Sequence, residues 1–292
     1  LISVAEALAP TQTEHGSSRI SELQRCPTAH DIKYNQKVFP VREAAYFEIG
    51  RITHACLHYI NSHVIDGDSY NSETWLDVID AARAARDLAV IEGKAEPPAW
   101  DELDPIDEAS RLVEAYYGLH GEANGGWPAA AKLLHAELFL ESKDLKATCR
   151  ADLVLELDGE IIVPDTKTRA KSLPKDRDTY ARELRTNEQF LRLSALTQEH
   201  FQLPQPPAVW LDAIVKTKVP SVDRLLLRFN QSEVDCWKRN QRAMLEVESA
   251  LHRLPVVRNY HQCAPPIGQR CWAFDFCHGT DEMREKQYRK VA

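Results

Sequence analysis

Two sets of residues in this chain have the types and spacing to do chemistry. The first is four cysteines: Cys26 stands alone near the start, while Cys263, Cys271 and Cys277 crowd the far end, more than 230 residues away. Thiolates in such a set can close one metal site that joins two distant stretches of chain. The spacing Cys-x7-Cys-x5-Cys lacks the C-x2-C pairs typical of structural zinc, which favours iron–sulfur ligation; buried free thiols are the alternative reading. The second set is Asp152, Asp165 and Lys167, arranged around Asp158-Gly159. If Asp158 and Gly159 form the centre of a two-residue hairpin, residues whose numbers sum to 317 face one another, and Asp152 lies opposite Asp165. Directly opposed residues have Cβ atoms roughly 4.5–5.5 Å apart, close enough for two carboxylates to share one hard cation. Lys167, two residues on, points to the same face. Two like charges so placed are destabilising unless a cation or proton intervenes, so the arrangement asks for a metal. The bland alternative is a solvated sheet edge on which the three residues are merely wet.

Strands and helices must carry these residues to one place. Three apolar, β-branched stretches, 135–141, 146–157 and 160–168, read as a meander around Asp158-Gly159. Residues 178–200 have helical periodicity and read as one long helix, followed by strands over 208–217 and 223–229 and a helix over 232–251. Upstream, residues 17–27 read as a short helix, with Ser17 or Ser18 as N-cap and Pro27 turning the chain after Cys26. A second helix covers 43–60. Apolar residues recur at helical spacing over 74–93 and 105–119, on either side of a segment holding prolines and acids. The organisation expected is an N-terminal helical part over 17–60, a helical insertion over 61–134, an α/β core over 135–255 and a cysteine-rich tail over 256–292.

A net charge of −8 argues against a polyanionic partner unless cations are gathered locally. Between Lys167 and Arg192 eight Lys and Arg residues stand against four acids, a run that a solvated helix face explains as readily as a binding patch does. No apolar run approaches the ~20 residues that span a bilayer, and the opening LISVAEALAP lacks the basic start and apolar stretch of a secretory signal. A cytoplasmic location is expected, and seven cysteines, an odd number in a chain too long to need disulfide staples, fit a reducing compartment.

The pattern D-x12-D-x-K made by Asp152, Asp165 and Lys167 resembles the active-site motif of the PD-(D/E)XK nuclease superfamily. Pro164 is not that motif's proline: its first Asp is Asp152, and Asp165-Thr166-Lys167 is the D-x-K part. GRITH, from Gly50 to His54, resembles the G-x-x-x-H helix of the RecB-like branch. Gln189 resembles that branch's Q-x-x-x-Y helix, with Leu193 in place of the Tyr and Cys149 where a Gly often precedes Arg-x-Asp. One cysteine before the fold and three after it resembles the members fastened by a [4Fe-4S] cluster, which include AddB-type nuclease domains and the CRISPR-adaptation exonuclease. The resemblance covers 17–60 and 135–280. It implies a restriction-endonuclease-like α/β fold, a mixed central sheet flanked by helices, with the helical insertion and a cluster on Cys26, Cys263, Cys271 and Cys277 tying the N- and C-terminal segments together. It further implies that Asp152 and Asp165 bind Mg²⁺ or Mn²⁺ with the Thr166 carbonyl and His54, Glu137 being a weaker candidate. Lys167 would orient water or offset transition-state charge, and Gln189 would position water or substrate. The implied activity is metal-dependent hydrolysis of DNA, as an exonuclease on single strands or duplex ends. Basic residues from Arg169 to Arg192 would contact phosphates, and a helicase, recombination or CRISPR-adaptation protein would be a partner.

The remaining histidines and cysteines read as structural. His58 lies one turn beyond His54; His30, His135, His261 and His278 have no partner pattern; Cys56, Cys149 and Cys236 read as core thiols. Two other function classes stand beside the nuclease. A non-catalytic nucleic-acid-binding module with a purely structural metal site is opposed by the intact Asp152, Asp165 and Lys167. A redox protein is opposed by the lack of a Gly-rich dinucleotide loop.

Overall fold

In the computed structural model, residues 2–9, 17–40, 45–67, 74–92, 104–120, 131–251 and 271–290 are described. The chain opens with α1 (Val4–Leu8), α2 (Ser17–Arg25), α3 (Pro27–His30), a π-helical turn at Asp31–Asn35 and the short strand β1 (Val38–Pro40). Three longer helices follow, α4 (Ala45–Ile65), α5 (Leu76–Ile91) and α6 (Pro105–His120). Then come β2 (Lys132–Ser142), β3 (Ala147–Leu157), β4 (Glu160–Arg169), α7 (Arg177–Leu184), α8 (Glu188–His200), β5 (Ala208–Val215), β6 (Ser221–Leu227) and α9 (Gln231–Leu251). The tail carries α10 (Phe274–His278), α11 (Asp281–Gln287) and β7 (Tyr288–Lys290).

Strands β2 to β6 form one sheet in sequence order, antiparallel except for the parallel pair β4–β5. A parallel pair needs a crossover, and α7 with α8 supplies it. Helices cover both faces. On one, Phe190, Leu193 and Leu196 of α8 and Val234 and Trp237 of α9 pack on Val163, Val209, Leu211 and Leu225. On the other, α4 buries Ile49, Ile52, Cys56 and Ile60, the helical spacing of an apolar stripe, against α5, α6 and Ile214 of β5. The insertion is therefore part of the core, not an appendage. A buried ion pair fastens it: Arg224 meets Asp212 at 2.6 Å across β5–β6, and Tyr116 of α6 donates to the same carboxylate at 2.9 Å.

The hairpin expected at Asp158-Gly159 forms. Both residues have positive φ, 53° and 80°, as a tight type I′ turn requires, and the pairs Leu157–Glu160, Glu156–Ile161 and Leu155–Ile162 have the expected register. Beyond these three pairs β3 and β4 run on without ladder pairing. Pro164 has no N–H to give, and the Thr166 N–H goes instead to Asp152 Oδ2 at 2.8 Å. The two strands thus fork, and Asp152 is not the ladder partner of Asp165.

The single helix expected over 178–200 is two helices. Asn187 adopts an extended conformation, and its side chain accepts from Gln189 N at 2.9 Å, capping α8 and ending the path of α7. At the ends of the chain β1 pairs with β7, Phe39 opposite Arg289, which joins the N- and C-terminal segments by backbone hydrogen bonds that the sequence did not announce. Among the described residues no helix is long and apolar enough to cross a membrane.

Candidate active site

The fork between β3 and β4 brings two groups of polar side chains together. In the first, ligand atoms of His54 (α4), Glu137 (β2) and Asp152 (β3) all lie within 4.8 Å of one another, and His54 Nδ1 is 3.4 Å from Asp152 Oδ2. The pairs Ala136–Leu153 and Leu138–Ala151 place Glu137 directly across from Asp152, so the opposed carboxylates are on β2 and β3. Glu137 has φ +50°, a left-handed conformation in mid-strand that costs about 1–2 kcal/mol for a residue with a Cβ. In the second group Asp165 is buried, with Lys167 Nζ 2.8 Å from Oδ2 and Gln189 Nε2 donating to Oδ1 at 2.9 Å. The Thr166 N–H to Asp152 bond links the groups, and Thr166 lines the same small pocket as His54, Glu137 and Asp152.

Burial and like charge give this site its electrostatics. Burial, reinforced by the Asp152 carboxylate, pushes the Glu137 carboxyl up to about 8. Burial also raises Asp165, opposed by the Lys167 ammonium. At Lys167 burial pulls the other way, but Asp165, Asp152 and Glu137 outweigh it and raise the group. An excess of buried carboxylate over cation, with donors converging from three elements, is what a hard divalent cation neutralises.

The structure brings His54, Asp152, Asp165, Thr166, Lys167, Gln189 and Glu137 into one neighbourhood but divides them otherwise than the hairpin geometry suggested. Glu137, the weaker candidate in sequence, shares the cation-sized group with His54 and Asp152; Asp165 is engaged by Lys167 and Gln189. Arg150, whose Nε is 3.8 Å from Glu137, and His58, which lines the pocket, were not singled out for this site. His58 is driven down to about 4 by burial and then by Arg150, so its ring is neutral at pH 7. The helical spacing of His54 and His58 was the available signal.

Two sequence expectations are corrected. Arg177, Arg185 and Arg192 do not form part of an open phosphate-binding run: they pair with Asp223, Glu233 and Glu188 at 2.9, 2.7 and 2.6 Å, and Arg192 is fully buried. Cys236 is exposed, not a core thiol. The cysteine set is partly visible. Cys26 and Cys271 fall in one buried apolar cluster with Ile32, Val38 and Tyr288, against which the partly buried Cys277, Trp272, Phe274 and Phe276 pack. Cys263 lies outside the described residues. His30, set aside in sequence, is buried there and meets Glu248 of α9 at 3.1 Å.

A family model described as the PD-(D/E)XK nuclease superfamily matches residues 17–277. The chain belongs to the PD-(D/E)XK nuclease superfamily. This nuclease-family chain also resembles a solved structure from Eubacterium rectale titled "Putative exonuclease", over 91% of this chain and 93% of that one, at a TM-score of 0.52 and 10% identity. At that identity the likeness speaks for the fold. No curated protein matches the sequence. Divalent metals serve nucleases of this superfamily, and among the described residues the His54–Glu137–Asp152 group could hold one.

Proposed function

We propose that the protein is a divalent-cation-dependent deoxyribonuclease of the RecB-like branch, acting as an exonuclease on single strands or duplex ends. The observation that carries this reading is the convergence of His54, Glu137 and Asp152 beside the Asp165–Lys167 pair at the fork of β3 and β4. His54, Glu137 and Asp152 would hold Mg²⁺ or Mn²⁺, with Asp165 and the Thr166 carbonyl as further candidate ligands. A bound cation supplies Lewis-acid charge at the phosphoryl group and eases formation of a nucleophile from water. Lys167, fixed by Asp165, orients that water or offsets negative charge building on the phosphoryl oxygens. Gln189, brought to Asp165 by the Asn187 cap, keeps the carboxylate in place.

Cys26, Cys263, Cys271 and Cys277 hold a [4Fe-4S] cluster. The three described thiols fit such a group: they come from both ends of the chain into one apolar cluster faced by aromatic side chains, and no described cysteine is in a disulfide. DNA is the macromolecular partner, and a helicase, recombination or CRISPR-adaptation protein would deliver it. Incubating anaerobically purified protein with end-labelled single-stranded and duplex DNA, in Mg²⁺, Mn²⁺ or EDTA, tests the reading. Metal-dependent release of short products from an end is expected. Nucleic acid bound but never cut with any divalent cation would favour a binding module instead.

A further inference from the structure

Arg169 is the arginine of the basic run that sits on β4 with Asp165 and Lys167, and its charge is held in a fixed position by a neutral partner. Its Nη1 donates to Tyr180 Oη at 2.7 Å, and the guanidinium carbon stands 5.5 Å from the Tyr180 ring centroid. Lys167, Arg177, Arg185 and Arg192 each face a carboxylate, whereas Arg182 lies on an exposed helix face against Thr179. Among the described residues no carboxylate lies within ion-pair distance of Arg169. The one acid that could approach from β6, Asp223, is occupied by Leu173 N and Arg177. The charge of Arg169, half-buried, is therefore offset by no described carboxylate, in a molecule that is acidic overall.

Its place on the strand gives that charge a use. Residues i, i+2 and i+4 of β4 share a face, so Arg169 follows Asp165 and Lys167 in line, about 6.6–6.8 Å beyond Lys167. That spacing is comparable with the separation of neighbouring phosphates along one nucleic acid strand. The framework is firm: Lys216 N donates to Arg169 O at 2.7 Å, tying the end of β4 to β5, and α7 starts on the Asp176 cap, which accepts from Thr179 N at 3.0 Å. Tyr180 itself packs on the core beneath α8. A planar guanidinium leaning on a phenol presents its remaining N–H groups outward, suited to bidentate contact with phosphate oxygens.

Resting on the nuclease reading above, we propose that Arg169, held by Tyr180, binds the phosphate adjacent to the one being cleaved, in register with Lys167 at the cleaved one. The contact is to backbone and carries no base preference.

The test is the salt dependence of binding to a fluorescent single-stranded oligonucleotide, with Ca²⁺ in place of the catalytic cation, for wild type, Arg169→Gln, Arg169→Lys and Tyr180→Phe. Arg169→Gln should weaken binding on the order of tenfold and reduce the log–log salt slope by about 0.7, the loss of one single-strand phosphate contact. Arg169→Lys should keep the slope and lose part of the affinity; Tyr180→Phe should lose less. Replacing the one neighbouring phosphate with an uncharged methylphosphonate should weaken wild type alike and abolish the difference between wild type and Arg169→Gln. A dinucleotide, which has no neighbouring phosphate, should be cleaved equally by both. The inference is overturned if folded Arg169→Gln keeps the wild-type slope and affinity, or if the methylphosphonate leaves wild-type binding unchanged, a result independent of how the variant folds. Those outcomes alongside normal cleavage would sink the subsite alone; wild type that neither binds nor cuts would sink the nuclease reading with it.

Discussion

The fork of β3 and β4 and the cysteine-bearing ends are two polar constructions held in different ways. At the fork, each functional side chain sits on a long element packed on both sides: α4 with 21 residues, β2 and β3 with 11 each, β4 with 10. The apolar clusters on the two sheet faces position His54, Glu137, Asp152 and Asp165 whether or not a cation is bound. The ends rely on α3 of four residues, α10 of five and a β1–β7 pair of three residues a strand. Elements that short do not hold themselves in water. Burial of Cys26, Cys271 and Tyr288, together with the Arg19–Glu248 pair at 2.8 Å, anchors them to the body, and a cluster on the thiols would complete the tie. The fork is preorganised for chemistry, whereas the order of the ends would be linked to a group bound by their thiols under the proposed cluster.

That contrast can be broken first at the fork. Asp152→Ala and Asp165→Asn should each lower DNA cleavage on the order of 10²-fold or more while iron content and the near-ultraviolet circular dichroism stay at wild type. Full activity in either variant would place the chemistry elsewhere.

A second effect follows from Glu137. Its carboxyl, raised from 4.5 to about 8, must lose its proton to bind a cation, so cation affinity should weaken roughly tenfold for each pH unit below about 8. The sign for stability is the reverse in cation-free protein. A raised acid stabilises the fold below 4.5, and that contribution is lost as pH rises through about 8. The melting-temperature gain on adding Mg²⁺ should accordingly be larger at pH 8.5 than at pH 6, and Glu137→Gln should flatten the difference.

At the other region, Cys26→Ala should leave the sheet intact and loosen the ends. Hydrogen exchange of the β1 and β7 amides should accelerate on the order of tenfold or more, while β4 and β5 amides keep their protection. Uniform acceleration across both regions would erase the distinction. The smallest effect is at Asn187→Ala, where loss of the cap should cost about 1 kcal/mol. Because the cap seats Gln189 against Asp165, activity should fall more than the change in melting temperature suggests.

Much of the fold was legible because its strands and helices carry strong periodicity, and Asp158-Gly159 named its own turn. The division of the 178–200 helix was less visible, because Asn187 acts through a side-chain cap and not through a break in the apolar pattern. Glu137 was underweighted for a physical reason. Register counted from one hairpin pairs Asp152 with Asp165, but Pro164 ends that ladder, and the bulged β2–β3 ladder, with its shift between Leu133 and His135, presents a different carboxylate. Charge counts do not show pairing: Arg192 is a core residue paired with Glu188, while Arg169 faces a tyrosine and not a carboxylate.

A divalent cation held by His54, Glu137 and Asp152, and not by the Asp152–Asp165 pair that the hairpin register implies, is the proposal on which the rest depends. Titration with Mn²⁺ at pH 8, following the free ion by electron paramagnetic resonance, separates the two. Glu137→Gln and Asp152→Ala should each weaken Mn²⁺ binding on the order of tenfold or more, while Lys167→Ala retains it. Mn²⁺ bound as tightly by Glu137→Gln as by wild type would contradict it.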